Sequence, residues 1–198
     1  YTVRNDMAAL VASLNWAETM GWLPSVPKLA KIKVAKLRHM KGRPISDAEF
    51  SKMLAKVASE VGSEAAASWK YTLRGLWESA LRIDELMHLH WSDARSIVPK
   101  WDDDGLPVLA IPAAMQKNDT EESIPMLPGL ETLLLETPEL QRFGWVFNPM
   151  SLQTKLGRTV RHQRPDAEWV GKVNSRIGEA AGVVVRGDSS VGGQKYAS

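Results

Sequence analysis

Residues 80–93 read Ala80-Leu81-Arg82-Ile83-Asp84-Glu85-Leu86-Met87-His88-Leu89-His90-Trp91-Ser92-Asp93, and the use made of Arg82 decides how the chain is understood. The arginine stands between Leu81 and Ile83, in a turn otherwise rich in residues that prefer burial. A guanidinium cannot shed its charge, so it needs an anionic partner or a strong use. Asp84 and Glu85 follow it, suited to the positive N-terminal end of a short helix over 84–89.

Upstream of this turn, Ala66, Trp69, Leu73, Leu76, Trp77 and Ala80 keep a three- and four-residue spacing, which predicts a helix from about Ser63 to Ala80. A helix before it opens at Ile45-Ser46-Asp47-Ala48-Glu49-Phe50. There Ser46 and Glu49 have capping-box spacing and Ile45 can staple to Phe50. Phe50, Met53, Leu54, Val57 and Val61 carry its apolar stripe to Gly62. Downstream the period changes. Short apolar runs at 94–98, 107–111 and 122–126 are separated by Asp102-Asp103-Asp104-Gly105 and Lys117-Asn118-Asp119, which predicts a small three-stranded antiparallel sheet. Helices return at 130–136 and 166–181, and Gly182 to Ser198 shows no sustained periodicity. The fold class is therefore α+β, mainly helical.

At the other end, Val3, Met7, Leu10, Val11, Leu14 and Ala17 form one face of a helix over 2–20 that Gly21 stops. Its apolar stripe must bury against something, and the expected neighbours lie upstream of Tyr1, in a longer chain from which this one is cut. Prolines at 24 and 27 then introduce a linker in which Lys28, Lys31, Lys33, Lys36, Arg38, Lys41 and Arg43 occur with no acidic residue among them. Residues 1–43 hold 8 Lys+Arg against 2 Asp+Glu, while the remainder holds 17 against 21. The positive field is thus concentrated at one end, as a local grip on a polyanion requires. The organisation expected is a small unit plus basic linker over 1–43 and a larger domain over 44–198.

Composition removes several classes. There is no cysteine, so disulfides, thiolate zinc sites and cysteine nucleophiles are excluded. With 44% hydrophobic and 24% charged residues and no long apolar run, the chain reads as globular, compatible with a reducing cytoplasm and with no membrane partner. Nucleotide-cradling glycine loops and the H-E-x-x-H helix are absent. His88 and His90, two residues apart on a helix, diverge and make a poor metal pair with Asp93.

Ala80-Leu81-Arg82-Ile83-Asp84-Glu85-Leu86, followed by Leu89-His90-Trp91-Ser92-Asp93, resembles the first arginine motif of the tyrosine recombinases, the phage integrase family. That motif reads approximately A-L-R-I-S-E-L and leads to a W-S-D-like turn. The family then has a three-stranded sheet whose last hairpin carries a lysine in a segment like T-K-T-G-K-x-R-x-V-P-L. Met115-Gln116-Lys117-Asn118-Asp119-Thr120-Glu121-Glu122-Ser123-Ile124-Pro125-Met126 is similar to it, with Lys117 in the lysine's place. Leu14-Asn15-Trp16-Ala17, the basic linker and the capped start at Pro44 look like the end of the family's core-binding domain and the beginning of its catalytic domain.

The resemblance implies metal-free, cofactor-free phosphoryl transfer on double-stranded DNA by a tetramer of the full-length parent. A tyrosine attacks a phosphate, arginines neutralise the equatorial oxygens, and the hairpin lysine protonates the leaving 5′ oxygen. It gives Arg82 and Lys117 catalytic roles and Glu85 a supporting one, and Lys31, Lys33, Lys36, Arg38, Lys41 and Arg43 contact with DNA. The family's H-x-x-R and tyrosine motifs have no counterpart: His162-Gln163-Arg164 has the wrong spacing, and Tyr196 has no H-x-x-R ahead of it. The catalytic domain is therefore expected to be incomplete at its C-terminus and inactive alone. The rival reading is a non-catalytic helical DNA-binding module whose basic linker supplies affinity.

Both readings place DNA on the basic linker, and counterion release makes such binding salt-dependent. Duplex DNA should bind weakly, with affinity falling steeply as salt rises. Replacing Lys31, Lys33, Lys36 and Arg38 with alanine should flatten the plot of log affinity against log salt. An unchanged slope in that titration removes the linker from the interface.

Overall fold

The larger of two compact units, Gly42–Ser198, begins where Ser46 caps a helix. In this computed structural model, residues 2–29, 43–101, 104–116, 118–150, 152–155, 158–161, 164–186 and 195–196 are described. The smaller unit, Tyr1–Lys41, contains helix α1, Thr2–Thr19, followed by Gly21 at φ 73°, a left-handed stop that glycine adopts freely. Within this unit the α1 stripe is left open: Val3 and Leu10 are exposed, and Trp16 meets Trp22 edge-on at 4.9 Å with both rings exposed. Neither ring is a core residue.

Helix α2 spans Asp47–Val61. The Ser46 hydroxyl accepts from the Glu49 N–H at 3.3 Å, and the Glu49 carboxylate accepts from the Ser46 N–H at 2.9 Å, closing the capping box. Glu49 is also gripped by the Arg43 guanidinium, and these hydrogen bonds hold its carboxyl at about 2, well below the usual range. Gly62, at φ 86°, lets the chain turn directly into α3, Ser63–Ser79. The two helices pack along Phe50, Met53, Val57, Ala65, Ala66, Trp69 and Leu73. Trp69 is fully buried and its indole N–H donates to the Met150 carbonyl at 2.7 Å, so its polar edge is satisfied inside the core. Phe50 stacks on Trp77 with centroids 4.4 Å apart.

Helix α4, Ile83–Met87, leads to strand β1, Val98–Trp101, then β2, Pro107–Ile111, and β3, Glu122–Pro125. They form an antiparallel sheet in that order, with Leu109 opposite both Pro99 and Ile124. The first strand starts later than the apolar run at 94–98 predicts. The Asp93 carboxylate accepts from the Arg95 N–H and the Asp93 carbonyl from the Ser96 N–H, so residues 93–96 are consumed by a turn.

Helix α5, Pro128–Leu135, buries Leu130, Leu133 and Leu134, and α6, Ala167–Ala180, buries Val170, Val173 and Ile177 against α2. Each such side chain contributes about 1.5–3 kcal/mol on burial. Two short antiparallel pairs were not expected: β4, Leu152–Lys155, with β5, Arg158–Arg161, and β6, Val184–Arg186, with β7, Lys195–Tyr196. The architecture is mixed α+β with a small three-stranded antiparallel sheet. No helix among the described residues is long and apolar enough to cross a membrane.

Candidate functional site

The turn carrying Arg82 is set by the backbone before it. Ala80 ends α3 in the left-handed region, φ 55° and ψ 13°, and the Ser79 hydroxyl accepts from the Leu81 N–H at 3.1 Å. Arg82 is then extended, φ −68° and ψ 154°, and begins α4. The Glu85 carboxylate reaches back to accept the Arg82 N–H at 2.9 Å and its Nη1 at 2.7 Å. Contrary to the buried-looking sequence around it, the Arg82 side chain is 86% exposed. Leu81 and Ile83 turn half inward, and the left-handed residue sends the arginine between them outward.

Beyond α4 the chain is strapped from both sides. The His90 N–H donates to Ile97 and the Ile97 N–H to His88, while Val146 donates to Leu89 and Trp91 to Gly144. Residues 88–91 are thereby fixed between the sheet's entrance and the segment after α5.

Glu85 faces a cavity of about 160 Å³ whose other walls include Leu109 and Ile111 of β2, Ile124 of β3, and Met115 and Gln116 at the root of the β2–β3 loop. The loop is pinned there: Gln116 Nε2 donates to Glu122 at 2.8 Å, and Asp119, left-handed at φ 49°, donates its N–H to the Gln116 carbonyl. Lys117, between Gln116 and Asn118, lies outside the described residues. The structure thus brings Glu85, the partner of Arg82, and the residue preceding Lys117 to one hollow.

A second cleft, about 450 Å³, is lined by Arg82 itself together with residues of α2, α3 and α6. Asn174 lines it, 1% exposed, with neither carboxamide atom hydrogen-bonded. An unpaired buried amide costs roughly 1–3 kcal/mol. The sequence held its signal, an amide among Val170, Val173 and Ile177 on an apolar helical face.

Among the other residues considered for function, Lys31, Lys33, Lys36, Arg38 and Lys41 lie outside the described residues. Arg43 is engaged bidentately by Glu49. The His88 Nδ1 lies 2.7 Å from the Asp84 carbonyl, while His90 Nδ1 accepts from the Ser92 and Asp93 N–H groups, so the two rings serve separate turns. No group of three or more His, Cys, Asp or Glu residues suited to a metal stands together among the described residues. Arg164, which sequence spacing set aside, lies 3.9 Å over the Trp145 ring, and burial pushes its guanidinium down to about 10. Tyr196 stands opposite Val184 in the β6–β7 pair.

Comparison with models of known families, with curated proteins and with solved structures finds no match to this chain.

The left-handed turn at Ala80 gives a direct test of the geometry that presents Arg82. Left-handed backbone costs an L-residue roughly 1–2 kcal/mol, partly offset by the entropy glycine loses on folding. Ala80→Gly should therefore stabilise the chain by about 0.5–1 kcal/mol in urea unfolding. Destabilisation would show that residue 80 is not left-handed in solution.

Proposed function

We propose that this chain is part of a tyrosine-type site-specific DNA recombinase, spanning the end of its core-binding domain and the first part of its catalytic domain. One observation carries the reading: Arg82 is exposed and is held by Glu85, whose carboxylate lines the hollow that also receives the root of the β2–β3 loop. Its motif and the order of elements after it support the same reading.

The chemistry follows from what these groups do. A planar guanidinium held by its own backbone clamps two nonbridging oxygens of a DNA phosphate with charge-assisted hydrogen bonds. The tyrosine hydroxyl gives up its proton to water as its oxygen attacks the phosphorus, the bond to the 5′ oxygen breaks, and the Lys117 ammonium gives that oxygen its proton. The products are a 3′-phosphotyrosine and a free 5′ hydroxyl. Glu85 orients Arg82 without attacking anything. The nucleophile, the second arginine and the histidine belong, in this reading, to residues beyond Ser198, and the parent works in the cytoplasm as a tetramer on two duplexes.

The test uses a nicked suicide duplex, which traps a covalent protein–DNA adduct. A polypeptide extended past Ser198 through the tyrosine motif should form the adduct in the presence of a chelator, and the 198-residue chain should not. Arg82→Ala in the extended protein should slow adduct formation on the order of a hundredfold or more while DNA binding changes little. Salt-sensitive binding with no adduct from any version makes the chain a non-catalytic DNA-binding module instead. An adduct formed by the 198-residue chain and lost on Tyr196→Phe makes Tyr196 the nucleophile.

A further inference from the structure

The 450 Å³ cleft joins apolar walls to two polar groups that lack full complements. Phe50, Met53 and Leu73 of the buried cluster line it, with Leu76 and Trp77 half-buried against that cluster. Among these side chains stands Asn174, 1% exposed, whose amide nitrogen and oxygen both lack a partner. Arg82 lines the same cleft, and its side chain is 86% exposed.

Each polar group asks for a particular complement. A buried carboxamide left unpaired costs roughly 1–3 kcal/mol, and a donor and an acceptor side by side satisfy it. Adenine presents such a pair in its N6 amino group and its N7 atom, the edge that asparagine reads with two hydrogen bonds. The faces of the base are suited to aromatic and apolar walls. Arg82 supplies the other demand. Glu85 accepts from its Nη1 and from its backbone N–H. Among the described residues Nε and Nη2 have no acceptor, so that edge of the guanidinium is free to take two phosphate oxygens. The cleft's volume falls within the range of about 300–1,000 Å³ usual for small-molecule sites.

We propose that the cleft is a nucleotide site, in which an adenine base pairs edge-on with Asn174 while Arg82 holds the phosphate through Nε and Nη2. This rests on the reading above only in giving Arg82 a phosphate. The nucleotide is either free or a base turned out of DNA beside a phosphate that Arg82 holds. The recognition chemistry at Asn174 and Arg82 is the same for both.

The test is a calorimetric titration of the 198-residue chain with 2′-deoxyadenosine 5′-monophosphate. Its 7-deaza analogue keeps the shape but has carbon in place of N7, and should bind about tenfold more weakly. Deoxyadenosine, which has no phosphate, should also bind about tenfold more weakly than the nucleotide. Asn174→Leu should erase the difference between the nucleotide and its 7-deaza analogue, and Arg82→Ala the difference between nucleotide and nucleoside. The 7-deaza comparison is made on the unaltered chain, so it stands whether or not a variant folds. No binding of the nucleotide, equal binding of the 7-deaza analogue, or a preference that survives Asn174→Leu overturns the proposal. Two duplexes separate the sources, one with an adenine already unpaired opposite an abasic position and one with an ordinary adenine–thymine pair. Tighter binding of the first, lost in Asn174→Leu, assigns the site to a base in DNA, and equal binding of the two assigns it to a free nucleotide. Adduct formation by the extended protein is scored separately. An adduct without the preference for N7 sinks the nucleotide site alone, and that preference without an adduct sinks the recombinase reading alone.

Discussion

Everything of functional interest in the larger unit depends on how the backbone leaves α3. A left-handed alanine, with the Ser79 hydroxyl taking the next N–H, reverses the chain within two residues and commits Arg82 to the surface. The segment after α4 is then tied to Ile97 on one side and to Gly144 and Val146 on the other. The arginine is positioned by main-chain hydrogen bonds and by the core beneath Leu86 and Leu89, both fully buried. Its own side chain contributes little to that fixation. An exposed ion pair such as Arg82–Glu85 contributes at most about 1 kcal/mol, so a phosphate can recruit the guanidinium at small cost.

The division of labour extends to the rest of the unit. Trp69, Phe147 and the leucines of α5 supply burial, and they leave no close room: a β-carbon at Gly75 would collide with the Phe147 ring. Apolar packing of this kind is density-limited, and extra atoms force side chains off their preferred rotamers. The two clefts lined by Glu85 and by Arg82 depart from that density. One meets the hairpin root and holds the orienting carboxylate; the other exposes core side chains and an unpaired amide.

Local signals carried most of the architecture from the sequence. The Ser46–Glu49 capping box and the 107–111 strand stand where spacing puts them, because a cap and a strand between turn residues are decided within a few positions. The first strand was misplaced because Asp93 competes for the backbone of 93–96, a contest that an apolar count does not register. The β6–β7 pair escaped notice because its strands are two or three residues long and meet across a glycine-rich stretch. For the site, the arginine and its acidic neighbour were legible as a motif, but the exposure of Arg82 was not, since it follows from one φ angle at Ala80. The role of Asn174 required three-dimensional packing, because a single amide on an apolar stripe does not say which groups face it.

We propose that Arg82 and the β2–β3 hairpin serve one phosphoryl-transfer centre, with Lys117 as the acid for the leaving oxygen. The most direct measurement compares cleavage rates of the extended protein and its Lys117→Ala variant on two substrates. One carries the ordinary 5′ oxygen at the scissile phosphate and the other carries sulfur there. Sulfur leaves without a proton, so general-acid catalysis is no longer needed. Lys117→Ala should be slow on the oxygen substrate and recover much of its rate on the sulfur substrate. An equal loss on both substrates would remove Lys117 as the acid.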